Sequence, residues 1–215
     1  MRNLKNQKGF TLVELAIVLV IIGIILGAVL KGQDVVQSAR VKKFVNDAGR
    51  VWETVTWTYY DRMGRFPGDS GSYTETTAKD GIIGNNTNDD PKTDISNANF
   101  INPPTSPVRL GSYSFYVFLG NDGDATTPKN VLVICKAANC GTAFTADELD
   151  YIRAFDVAID GSADAGVGQV RSGSGTLTVN DTKWLVTNAG TVKTTSGDWA
   201  TTTDKALVYY FDRKK

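Results

Sequence analysis

Lys8-Gly9-Phe10-Thr11-Leu12-Val13-Glu14-Leu15 opens an apolar run that extends to Leu30. Between Phe10 and Leu30 the run holds a single charge, Glu14. Wound as an α-helix at ~1.5 Å per residue, it measures roughly 31 Å, the thickness of a bilayer's hydrocarbon core. Ahead of it, residues 1–9 contain Arg2, Lys5 and Lys8 and no acidic residue. That asymmetry predicts a cytoplasmic tail and an exported C-terminal part. A plain signal anchor explains this much. A cleaved secretory signal peptide fits poorly, because the run exceeds the roughly 7–15 apolar residues of such a peptide and no Ala-x-Ala site ends it. Two details ask for more. Glu14 lies inside the run, where a carboxylate is costly and needs a partner. Gly9 marks the border of the basic tail, within reach of a peptidase on the cytoplasmic side.

Working outward, the helical pattern continues beyond the run. Lys31-Gly32-Gln33-Asp34 marks the exit from the apolar segment, and Val41, Phe44, Val45, Ala48, Trp52, Val55 and Tyr59 recur at three- and four-residue steps. That spacing predicts one apolar face of an amphipathic helix, its aromatic residues packed under a sheet. The first proline is Pro67, and Gly64 is placed to cap a helix with Arg62 in its last turn. A single helix from Phe10 to Met63 is expected, roughly 80 Å long. The organisation read from the chain is a leader at 1–9, a membrane or fibre-core helix at 10–30, its amphipathic continuation at 31–63, and an exported domain at 64–215.

Lys8-Gly9-Phe10-Thr11-Leu12-Val13-Glu14 resembles the processing site of type IV pilins and of the pseudopilins of type II secretion systems. The resemblance covers the leader and the apolar run. It implies cleavage between Gly9 and Phe10 by a prepilin peptidase, N-methylation of Phe10, and assembly with other pilins or pseudopilins into a fibre with the apolar helices at its centre. It also implies storage in the bacterial inner membrane, partnership with assembly machinery there, and a periplasmic or cell-surface fibre as end product. Cleavage creates an amine with a reference pKa near ~8. Glu14 is then read as the register device that meets the Phe10 amine of a neighbouring subunit, with pairing to its own N-terminus as the alternative. Many family members have a proline where this chain has Lys31. The Lys31-Gly32-Gln33 exit and the Phe66-Pro67-Gly68-Asp69 turn resemble a less characterised pilin-like group.

Past the helix, Gly68 to about Arg109 has the composition of a long loop. Gly68-Asp69-Ser70-Gly71 reads as a turn. Strands are expected at Tyr113–Leu119, at Val131–Cys135, in a hairpin of Thr176–Val179 and Trp184–Thr187 around Asn180-Asp181, and at Ala206–Phe211 before the basic Arg213-Lys214-Lys215 end. Thr145 with Glu148 forms a capping box opening a helix whose apolar face is Leu149, Ile152, Phe155 and Ile159, with Phe144 and Leu149 able to staple it. Asp160 to Gly175 reads as a glycine-rich loop. The fold class expected is α+β, pilin-like: a long N-terminal helix packed on an antiparallel sheet.

Composition narrows the functions. The chain of 215 residues is formally neutral, and losing the three leader charges leaves −3, which argues against general nucleic-acid binding. With no histidine, Ser-His-Asp and Cys-His catalysis and histidine metal sites are excluded, and no enzyme is expected. Cys135 and Cys140 are the only cysteines, and export predicts a disulfide between them. Asp122 and Asp124, and Asp156, Asp160 and Asp164, are oxygen clusters of the kind that can bind calcium, although neither has the EF-hand pattern and turn-forming roles account for them. No other cofactor is expected. Besides a structural subunit, two readings compete: a minor tip pilin whose 68–109 loop touches a surface or ligand, and an anchored exported protein that does not polymerise.

Overall fold

The computed structural model describes residues 10–69, 79–86 and 88–212. The leader with Gly9, Ser70-Gly71 and the basic C-terminal end therefore lie outside the described residues. The chain divides into two compact units, one ending at Arg40 and the other running from Val41 to Lys215. In the first unit, helix α1 (Leu12–Val45) carries the apolar run, and every described residue up to Arg40 is exposed.

In the second unit the end of α1 leads through a π-helical turn, Asn46–Arg50, into α2 (Val51–Met63). The helical path predicted from Phe10 to Met63 is present from Leu12, with this one widened turn in it. The turn sits at a close helix contact. A Cβ at Gly49 would overlap the Phe155 ring of α4 (Ala146–Asp160), so only glycine lets the two helices approach this closely. Of the predicted apolar face, Phe44, Val45, Ala48, Trp52, Val55 and Tyr59 are buried, and Val41 is partly buried against the same core. Gly64 ends α2 in the left-handed region at φ 69°, its N–H donating to the Tyr60 carbonyl at 2.8 Å.

The strands are β1 (Val108–Leu110), β2 (Tyr113–Asn121), β3 (Asn130–Cys135), β4 (Val170–Ser174), β5 (Thr178–Asn180), β6 (Leu185–Asn188), β7 (Thr191–Val192) and β8 (Ala206–Tyr209). They form one sheet in the order β5-β6-β2-β3-β8-β4-β7, with β1 beside β2. Both faces are covered. Phe115, Val117, Leu119, Leu132, Ile134, Leu207 and Tyr209 join the core with Phe44, Trp52 and α4, whereas Phe118, Val131, Val133 and Val208 pack with Leu177, Val186 and Ala189 on the other side. Two buried faces explain why β3 reads Val-Leu-Val-Ile without alternation. Phe44 anchors the inner core, with ring centroids 4.6 Å from Phe115, 5.8 Å from Tyr151 and 6.0 Å from Phe155.

Three expectations are corrected. The sheet is mixed, because β6 pairs parallel with β2 at Leu119–Leu185 and Gly120–Val186. The approach depends on Gly120, where a Cβ would run into the Val186 carbonyl. The predicted β5–β6 hairpin is antiparallel, and its return strand meets β2 in the parallel sense. Second, the stretch from Asp160 to Gly175 holds β4, a central strand between β8 and β7. Its Val-Arg-Ser-Gly-Ser sequence has poor strand propensity. Gly173 is needed there because a side chain would press on the Ala189 carbonyl and on Ala206 and Val208. Third, the loop at 68–109 contains α3 (Pro91–Asn97), capped by Asp90, whose Oδ1 accepts the Thr93 N–H at 3.0 Å, and it also contains β1. Asp-Pro at a helix start is a recognisable signal that composition masked. α3 is tied to the rest by Asp94, which accepts from both Arg65 guanidinium nitrogens at 2.7 and 3.0 Å and from the Gly68 N–H at 2.8 Å.

Candidate processing and assembly segment

The first turn of α1 is closed by Thr11 and Glu14. The Glu14 N–H donates to Thr11 Oγ1 at 3.2 Å. Glu14 Oε2 in turn accepts the Thr11 N–H at 2.8 Å and the Thr11 hydroxyl at 2.9 Å. This reciprocal arrangement is a capping box. The opening N–H groups of a helix lack intrahelical partners, and an unpaired one is most costly in apolar surroundings. The signal Thr-x-x-Glu stands at 11–14 as plainly as at 145–148, and reading Glu14 as the partner of an N-terminal amine, a neighbour's or its own, overlooked it. The two roles are compatible, since Glu14 Oε1 has no hydrogen-bond partner among the described residues.

Phe10, just ahead of this cap, is 84% exposed. Its nitrogen is an amide in the uncut chain, so an amine at Phe10 would exist only after cleavage. Gly9 lies outside the described residues. Beyond the cap, α1 is long and apolar enough to cross a membrane, and none of its membrane-length window is buried.

The second capping box forms as predicted. Thr145 Oγ1 accepts the Glu148 N–H at 3.4 Å, and Glu148 Oε2 accepts the Thr145 N–H at 2.8 Å. Glu148 also pairs with Lys136 at 3.2 Å, linking α4 to the strand end that carries the disulfide. Cys135 and Cys140 are bonded, with Cα atoms 5.3 Å apart, and both are buried on the outer face of the sheet.

The aspartates singled out for calcium are spread over separate tasks. Asp122 Oδ1 accepts the Lys129 N–H at 3.0 Å, closing the β2–β3 turn. Asp124 Oδ1 accepts the Thr126 and Thr127 N–H groups at 2.8 and 3.0 Å, and the Thr127 and Thr126 bonds hold its carboxyl below the usual carboxylate range. Asp160 Oδ2 accepts the Val170 N–H at 2.8 Å and positions the start of β4. Asp164 accepts from the Ser196 hydroxyl and from the Gly166 and Gly197 N–H groups, which lower its pKa. Asp156 is fully buried and its Oδ2 accepts the Trp199 indole N–H at 2.9 Å; burial pushes its carboxyl up to about 6. Among the described residues, no three Asp, Glu, Cys or His side chains are grouped to hold a metal ion.

These features define a class: an exposed apolar helix, capped at its first turn by its own carboxylate, in one chain with a disulfide-bonded α+β domain. Residues 4–30 match the family model described as the prokaryotic N-terminal methylation motif, the signal motif of type IV pilins and pseudopilins. The chain carries that motif, and the motif implies processing by prepilin peptidase and assembly with other pilin subunits. Comparison with curated proteins and with solved structures gave no match.

Proposed function

We propose that the protein is a structural subunit of a type IV pilus-like or type II secretion fibre, cut between Gly9 and Phe10 and assembled through its apolar helix. The observation that carries this reading is the methylation motif at 4–30 on a helix exposed throughout its apolar length. Such a surface is not left in water. A bilayer covers it before assembly, and the helices of neighbouring subunits cover it afterwards. The precursor sits in the inner membrane with its leader in the cytoplasm and its α+β domain exported, where an oxidising compartment maintains the Cys135–Cys140 bond. After cleavage the Phe10 amine is cationic at neutral pH and Glu14 Oε1 is available to it. The role assigned is assembly rather than catalysis, in keeping with the absence of histidine.

Glu14→Val tests the reading. Insertion and folding of the α+β domain are expected to persist, because removing a charge eases insertion and the domain lies beyond the membrane helix. Leader removal should also persist, and mass spectrometry should find methylated Phe10 at the mature N-terminus. Fibres should be lost or few, since a neighbour's amine is then buried unpaired at a cost of about 3–5 kcal/mol per contact. Normal numbers of normal-length fibres in electron micrographs would overturn the assembly role of Glu14. Met1 retained in assembled protein would overturn processing.

A further inference from the structure

On the outer face of the sheet, the β2–β3 turn, β4, the chain around β7 and Tyr210 enclose a cleft of about 340 Å³. Its lining contains two carboxylates, Asp122 and Asp124, two cations, Lys129 and Arg171, the Thr194 hydroxyl and the half-exposed Tyr210 ring. The Tyr210 hydroxyl donates to Asp122 Oδ2 at 3.3 Å. Arg171 and Lys129 both lie over the Tyr210 ring, 5.7 and 6.0 Å from its centroid.

Charges of both signs border this cleft without forming salt bridges to one another among the described residues. Each is instead fixed by neutral groups. Asp124 is held through Oδ1 by two backbone N–H groups, leaving Oδ2 free. Arg171 is held through Nε, which donates to the Gly168 carbonyl at 3.0 Å, leaving both terminal nitrogens free. The Lys129 ammonium has no hydrogen-bond partner among the described residues; it lies over the ring and close enough to Asp124 to favour that carboxylate's charged form. The cleft therefore offers preplaced donors and a preplaced acceptor around one aromatic ring, and little ordering entropy remains to oppose a ligand.

We propose that this cleft binds one hexose-sized unit of a neutral saccharide. The volume is at the small end of ligand sites, which suits a single sugar ring. Opposite charges balance, so no net field selects an anion or a cation. The polar lining gives a lipid or an apolar side chain little to pack against. A ring hydroxyl both donates and accepts, so it can answer a guanidinium and a carboxylate from one carbon skeleton, through charge-assisted hydrogen bonds. A zwitterion such as a free amino acid is the rival ligand. It depends on Coulombic attraction at an exposed site, where water and salt screen it. The proposal stands independently of the fibre reading, because it rests on the α+β domain alone.

The test uses full-length protein in micelles of a detergent without a sugar head group. Methyl glycosides of glucose, galactose, mannose and N-acetylglucosamine, together with glycine and γ-aminobutyrate, are titrated under saturation-transfer difference NMR. At least one glycoside is expected to receive saturation, with binding about tenfold weaker in both Arg171→Gln and Asp124→Asn, each losing one charged hydrogen-bonding group. Asp124→Asn keeps the Oδ1 acceptor of the turn, so it reports on the ligand rather than on folding. No transfer to any glycoside on the wild-type protein would overturn the proposal. So would transfer confined to the amino acids, or glycoside binding of wild-type strength in both variants.

Discussion

Asp156→Asn separates the effect of a buried charge from that of shape. Asp156 lies on α4 with no exposed surface, beneath the Trp199 indole that donates to it. Burial is the largest influence on its carboxyl. The indole bond opposes it, and the nearby Asp160 and Asp164 charges reinforce it, so the proton leaves near about 6 rather than 3.8. In the unfolded chain the proton leaves at the ordinary value. Below that value both states are protonated, and the stability associated with the neutral acid is fully present. As pH rises, the unfolded state ionises first, so folded-state stability falls until the folded carboxyl also ionises near about 6. The gap between the two values corresponds to about 3 kcal/mol. An asparagine keeps an acceptor for the indole and does not titrate. Any fixed penalty of the amide is the same at every pH, so the readout is how the stability difference from wild type changes with pH. The variant should gain about 3 kcal/mol relative to wild type between about pH 3 and about pH 7. Urea unfolding of the full-length protein in micelles, followed by tryptophan fluorescence across that window, measures it. A difference that stays flat would refute the argument that ionised Asp156 is a burden on the fold.

Gly49→Ala should destabilise the α+β domain by about 1–3 kcal/mol in the same assay, because its Cβ overlaps the Phe155 ring, and adding Phe155→Leu should recover part of the loss. Asp94→Asn removes the charge that receives the Arg65 fork and the Gly68 N–H, with an expected loss of about 2–3 kcal/mol and faster proteolysis around α3. Replacing Cys135 and Cys140 together by alanine, which buries no hydroxyl, should cost about 2 kcal/mol by loop entropy, since the bridge closes only a short loop of sequence separation 5; a loss well above that would show that the bridge organises more than its own turn.

The sequence by itself determined whatever depends on neighbours along the chain. The apolar run is long and apolar enough to cross a membrane, which length and composition alone decide. The face from Phe44 to Tyr59, the Gly64 cap and the Thr145–Glu148 box are periodic or local signals, and the structure contains each of them. The Cys135–Cys140 bond belongs here too, because five residues of separation leave the two thiols close in most conformations. Tertiary structure decided whatever depends on partners far along the chain. β4 is a strand because β8 and β7 lie on either side of it, supplying hydrogen bonds that its glycine and serines do not predict. β6 runs parallel to β2, and Gly120 permits the close approach of the Val186 carbonyl there, a distance no local pattern encodes. The cleft around Tyr210 likewise gathers Asp122 and Lys129 from the β2–β3 turn and Arg171 from β4. In the sequence those charges read as a turn and a loop, because what unites them is the surface of a sheet whose strand order is set by packing on both of its faces.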